Sequence, residues 1–218
     1  MPNRFSLYVL GLVTVTGAGL ASSLAAQNAV DWDIGPDVRG RNYSVGMPLK
    51  PTPLRRGGWA FDFPYPNANA GHVHAVTFDP GSLENASKIV MRYRIDAARG
   101  VRFAPQEVPD QPATVSLYFQ RLGDSWSGKR KYEFYRWYAP TTSIRQISTG
   151  EHEVVVSLAD PNWSSVEGQL AQSHPVAFEA ALVQTGRIGI AFGSRHLRSH
   201  GVYSTCPAKF TLLEFRIM

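Results

Sequence analysis

The segment KIVMRYRID, residues 88–96, alternates with a period of two: Ile89, Met91, Tyr93 and Ile95 fall on one side, Arg92, Arg94 and Asp96 on the other. Successive side chains of a strand point to opposite faces, so the pattern predicts a β-strand with one buried and one solvated face. TVSLYFQR, 114–121, splits the same way, with Val115, Leu117 and Phe119 opposite Ser116, Tyr118 and Gln120. Further short runs, GWAFDF (58–63), HVHAVTF (72–78), EVVVSL (153–158), RIGIAF (187–192) and AKFTLLEFRI (208–217), are separated by Gly, Pro, Asp and Asn. In the last run Phe210 and Leu212 lie on one parity and Phe215 and Ile217 on the other, so a β-bulge near Leu213 and Glu214 is needed to keep one buried face. No stretch of ten or more residues carries a helical period, and only VEGQLAQS, 166–173, suits a turn or two of helix. Many short strands, each with one polar face, predict an all-β fold, an antiparallel sandwich or barrel, of which a two-sheet sandwich in a single domain over residues 58–218 is the preferred reading.

The 218 residues suit one such domain with flanking segments. Residues 1–25 have Arg4 ahead of an apolar run that ends in small residues, the layout of a secretory signal peptide cleaved after Ala25. Residues 26–57, rich in Gly, Pro and charge, read as a leader or linker with a short first strand around Tyr43–Val45. No later stretch is apolar for long enough to span a bilayer, so a secreted or periplasmic location is expected. Cys206 is the only cysteine, which excludes an intrachain disulfide. The net charge of +5 is carried largely by arginine. A basic surface suits nucleic acid, but export argues against that partner and favours an anionic polysaccharide or the outer face of an envelope.

The strands KIVMRYRID and TVSLYFQR, the aromatic YRWYA at 135–139 and the closing AKFTLLEFRI resemble a jelly-roll carbohydrate-binding module of the galactose-binding-like type. The resemblance covers residues 59–218. It implies that fold and glycan binding on one concave sheet face, and assigns no individual residue.

Sugar recognition needs flat apolar surface for ring C–H faces and fixed polar groups for hydroxyls. The polar faces of the first two strands offer Arg92, Arg94, Asp96, Tyr118 and Gln120; a solvated cross-strand ion network is the alternative for Arg92, Arg94 and Asp96. KYEFYRWYA, 131–139, reads as a two-sided strand with Tyr135, Trp137 and Ala139 inward and Phe134, Arg136 and Tyr138 outward, beside that site. Burying Arg136 without a partner would be costly, which favours this parity. Trp126, in the turn LGDSWSGKRK, and Trp163 are each either a plug over the sandwich end or a stacking ring.

His72 and His74 form an H-x-H pair of the kind that begins a metal site, with Asp79 or His200 as a further ligand, but no second motif follows. No cofactor is called for; the turn DPGSLEN, 79–85, leaves structural calcium open. No G-x-S-x-G elbow occurs, and the spacing of Asp62, Asp96, Asp124 and Glu133 selects no carboxylate pair. The expected function is non-catalytic binding of a polysaccharide, with some negative charge. A small lyase or glycoside hydrolase on the same fold, or a structural envelope protein, are the alternatives.

Overall fold

The computed structural model describes residues 28–218. The expected signal peptide at 1–25 lies outside the described residues. In chain order the strands are β1 (Asp33–Gly35), β2 (Asp37–Val38), β3 (Arg41–Asn42), β4 (Thr52–Pro53), β5 (Trp59–Asp62), β6 (Ala75–Phe78), β7 (Lys88–Ala97) and β8 (Phe103–Pro105). They continue with β9 (Thr114–Arg121), β10 (Arg136–Tyr138), β11 (Arg145–Gln146), β12 (Gly150–Ser157), β13 (Thr185–Gly193), β14 (Val202–Ser204) and β15 (Ala208–Ile217). Among the described residues they form two main antiparallel sheets and two separate two-stranded pairs, β14-β8 and β2-β3. One main sheet has the order β1-β6-β13-β9-β10, with β11 also on β9, and the other β12-β7-β15-β5-β4. No helix among the described residues is long and apolar enough to cross a membrane.

The alternation read from the sequence sets the inner faces. Ile89, Met91, Tyr93 and Ile95 of β7 face Val115, Leu117 and Phe119 of β9 across one hydrophobic core, all almost fully buried. Ring packing runs through this core: Phe210 stacks on Phe61 at 5.2 Å between centroids and on Tyr93 at 5.1 Å. The register of β15 against β7 shifts between Leu212 and Glu214, the expected bulge. It keeps Phe210, Leu212 and Phe215 in the core despite their mixed parity.

Residues 28–57 depart from the leader or linker expected there. β1 pairs with β6 as an edge of the first sheet, and β4 pairs with β5 at an edge of the second. Trp32, 0% exposed, sits in the core against Trp59, Phe78 and Phe215, with centroids at 4.9, 4.6 and 5.2 Å. The strand placed near Tyr43–Val45 is instead β3, which closes a hairpin with β2. Each of these strands is two or three residues long, too short to show a period.

A second departure is the helix α1 (Pro175–Val183), nine residues reading PVAFEAALV. The sequence places helix just upstream, at 166–173, where only a short 3-10 turn (Ala171–Ser173) forms. The near-uniform apolarity of α1 conceals its period, although Pro at the first turn marks the start. Phe178 and Ala181, three residues apart, form its buried side, and Phe178 packs on Phe119, Trp137 and Trp163. Trp163 is a buried plug, its Nε1 donating to the Ser157 carbonyl at 2.9 Å.

Candidate binding cleft

The candidate site lies on the outer face of the first sheet. β10 runs antiparallel to β9 with Arg136 opposite Gln120 and Tyr138 opposite Tyr118. Trp137 and Ala139 point into the core, and Arg136 and Tyr138 point the other way, as their parity predicts. The strand is shorter than expected, however. Residues Arg130–Phe134 form a 3-10 turn, so Tyr135 ends that turn, half-buried under the Arg121 guanidinium, and does not enter the core.

Tyr118 and Tyr138 stack at 5.6 Å with 26° between planes. Beside them on β6 and β13 stand the small residues Ala75 and Ala191, which join the same outer cluster. Ser116 and Gly189 add no bulk to that face. Gly189 is required as well as small, because a Cβ there would collide with the Val76 carbonyl across the ladder. These short side chains are themselves buried, and the cleft is lined instead by the residues around them.

Loops build the walls. Residues 122–131 fold back over β10 and bring Asp124 to Arg136, with Oδ2 2.7 Å from Nε; the carboxylate is 0% exposed and the arginine side chain 6%. The approach is too bent for an N–H···O bond, so the attraction is mainly that of two charges. Burial pushes the Asp124 carboxyl up, while the Arg136 charge and the amides of Trp126 and Ser125 oppose that rise. Trp126, held at a positive φ of 60°, lies over the Arg136 guanidinium at 4.3 Å and presents an edge to Tyr118. It is half-buried and forms a wall of the cleft rather than a plug.

The second wall is the loop after β13, SRHLRSHG at 194–201. Arg198 lies over the outer side of Tyr138, 4.7 Å from its centroid. It donates through Nη1 to the Ala139 carbonyl at 2.9 Å and through Nη2 to Ser164 Oγ at 2.6 Å. The loop is tied down at His74, whose Nδ1 lies 2.8 Å from the Ser199 carbonyl. A carbonyl only accepts, so Nδ1 carries the proton and Nε2 is bare. His74 is lowered to about 4, first by burial and then by its neighbour His72, so the ring is neutral at ordinary pH. The backbone N–H of His74 donates to Ser44 Oγ at 2.8 Å, which fastens the segment before β4 to the same point. Gly201, at φ +96°, allows the loop to pass the two imidazoles, which a Cβ would press upon.

Together these elements enclose a cleft of about 630 Å³, lined among others by Tyr43, Glu107, Trp126, Arg136, Tyr138 and Arg198. Of the residues expected in one site, Trp126, Arg136 and Tyr138 line this cleft, with Tyr118 fully buried behind them. Gln120 opens onto a separate depression with Arg121 and Arg187. Phe134 packs inward on Trp137 and His174, at 6.0 and 4.6 Å, and does not line the cleft.

Arg92, Arg94 and Asp96 belong to the other sheet, on its outer face, so the single face expected to hold them with Tyr118 and Arg136 does not form. They make the solvated alternative: Arg94 bonds Asp96 at 2.9 Å, and Arg92 lies 3.9 and 4.0 Å from Glu151 and Glu214. Strand parity selects a side of a strand's own sheet but not which sheet the strand joins. Arg198, Tyr43 and Glu107 are the contributors that sequence reasoning missed. The density of Arg and His in SRHLRSHG, directly after a strand, is the signal that points to the first of them.

His72 and His74 have ring centroids 4.7 Å apart. His200 is instead engaged with Glu107, Nδ1 to Oε1 at 2.9 Å, and Asp79 accepts from the Gly81 amide. Among the described residues no three His, Cys, Asp or Glu side chains converge to hold a metal.

No protein-family model matches the chain, and no curated protein matches it. Among solved structures, a carbohydrate-binding module described as specific for non-crystalline cellulose is similar in architecture. It is 14% identical, with a TM-score of 0.47 over 92% of this chain and 93% of that one.

Proposed function

We propose that this β-sandwich binds a polysaccharide, one bearing negative charge, in the cleft between Trp126 and Arg198. The observation that carries the reading is the pairing of aromatic surface with immobilised guanidinium groups around one concave space. Trp126 and Tyr138 offer flat C–H-binding surface, and Arg136 and Arg198 are each pinned by a ring and by a polar partner before any ligand arrives. The volume, about 630 Å³, falls in the usual range for small-ligand sites. Binding is favoured over glycoside hydrolysis because, among the described residues, Glu107 is the only carboxylate lining the cleft, whereas hydrolysis calls for two. An exported location accompanies this reading, on the strength of the N-terminal segment alone.

The test is affinity electrophoresis and titration calorimetry against neutral and acidic polysaccharides, with near-ultraviolet circular dichroism to confirm folding. Retention is expected on at least one acidic polymer. Trp126→Ala should weaken it roughly tenfold or more, since covering a large apolar side chain stabilises by about 1.5–3 kcal/mol. Arg92→Gln with Arg94→Gln, on the opposite sheet, should leave it unchanged. A folded protein retained by none of the polymers refutes the reading.

A further inference from the structure

Arg136 and Arg198 face the same cleft in different electrostatic states. Arg136 is neutralised from behind by Asp124, 2.7 Å away and fully shielded from solvent. Arg198 is paired with no carboxylate among the described residues. Its partners are the Ala139 carbonyl, the Ser164 hydroxyl and the Tyr138 ring, all uncharged. No other charge on the cleft wall pairs with it: Glu107 hydrogen-bonds His200 at 2.9 Å and forms no ion pair with Arg198, His74 is neutral, and Arg39 is an exposed cation. Burial disfavours the charged form of Arg198, yet a guanidinium does not give up its proton in a protein. The cleft therefore holds one half-shielded positive charge without a counter-ion, fixed in orientation by a ring beneath it and two hydrogen bonds. Two of its five N–H donors are used, and no hydrogen bond within the described residues engages the other three.

We infer that Arg198 is the seat of the acidic substituent, carboxylate or sulfate, of the bound glycan, and that Arg136, already paired, contacts neutral hydroxyls. This deepens the carbohydrate reading and rests on it. A charged acceptor makes hydrogen bonds about twice as strong as a hydroxyl does, and here it also supplies the missing counter-charge. Discrimination between acidic and neutral sugars is thereby assigned to one residue of the 194–201 loop, and affinity from stacking to Trp126 on the other wall.

The experiment compares matched ligands on the unaltered chain: uronate oligosaccharides against their carboxyl-reduced forms, and sulfated galactan oligosaccharides against their desulfated forms. Removing the anion in the preferred pair should weaken binding roughly 10- to 100-fold. The pair that shows the loss identifies carboxylate or sulfate as the source. Arg198→Gln should bring the acidic and neutral partners of that pair to within about threefold of each other. Should that variant not fold, Arg198→Lys, which keeps the charge but not the planar fork, replaces it and should narrow the same ratio. Binding of a glycan with equal affinity in both forms of both pairs overturns the assignment and leaves carbohydrate binding standing. Failure of all four ligands and of neutral polymers overturns both.

Discussion

Asp124→Asn probes the one ion pair among the described residues that is sealed from water. The carboxylate is 0% exposed and its arginine 6%, with 2.7 Å between them. Removing one partner of a buried pair leaves the other charge uncompensated and costs about 3–5 kcal/mol. Asparagine keeps an oxygen that can accept from the Trp126 amide, as Asp124 Oδ1 does at 3.1 Å, so the loop retains its turn and the lower end of that range, about 3 kcal/mol, is expected. Arg136→Met poses the converse case. It leaves a buried carboxyl whose folded-state pKa stands above its unfolded value, so that group favours the folded state below the unfolded pKa and loses its contribution as pH rises through the folded one. The penalty of Arg136→Met should therefore grow from pH 4 to pH 8. The double variant Asp124→Asn with Arg136→Met should be less destabilised than the sum of its parts, by more than about 1 kcal/mol.

Urea unfolding followed by tryptophan emission measures all three, and Trp126, lying on Arg136 at 4.3 Å, reports the site itself. Asp96→Asn supplies the scale. Its pair with Arg94 is about half exposed on both sides, at 44% and 55%, and should change stability by no more than about 0.5 kcal/mol. A loss below about 1 kcal/mol in Asp124→Asn, or additivity in the double variant, would refute the claim that this pair holds the 122–131 loop over the cleft.

His74 should make the fold sensitive to mild acid. Its folded pKa of about 4 lies below the ordinary 6.5, so the unfolded chain takes up a proton that the native state refuses. Stability then falls as pH drops through that window, by about 2 kcal/mol between pH 7.5 and 5 from this group. His74→Gln should flatten the dependence in urea midpoints across those pH values; an unchanged slope would count against it. Trp32→Ala should cost about 3–5 kcal/mol, because it empties a site 0% exposed between Trp59, Phe78 and Phe215. A loss under about 1 kcal/mol in thermal unfolding would mean that residues 28–57 are an appendage after all.

The parts of the fold legible in the sequence are those where one periodic face meets one core. β7 and β9 show their inner residues by alternation alone, and the bulge at Leu212/Glu214 is forced by the mixed parity of β15. What could not be read is relational. The outward faces of β7 and β9 both carry polar groups in sequence. Only the order of strands within each sheet shows that Arg92 and Tyr118 lie on opposite sides of the sandwich. Short edge strands and a helix without polar contrast offer no period at all, which hides β1, β4 and α1.

The stretch 131–139 shows how far local reasoning about a site extends. Parity correctly turns Trp137 inward and Arg136 outward, and the cost of an unpaired buried guanidinium is the deciding step. Yet facing away from the core does not leave Arg136 in water, because the 122–131 loop supplies Asp124 and covers the strand. Desolvation is set by whatever lies above a side chain as well as by the sheet beneath it. The same holds for the opposite wall, where His74 binds a carbonyl 125 residues further along the chain and so positions Arg198 over Tyr138. A cleft assembled from such contacts takes its floor from strand alternation and its charge pattern from loop closure. Of two arginines with the same sequence character, closure pairs one with a carboxylate and gives the other only uncharged partners.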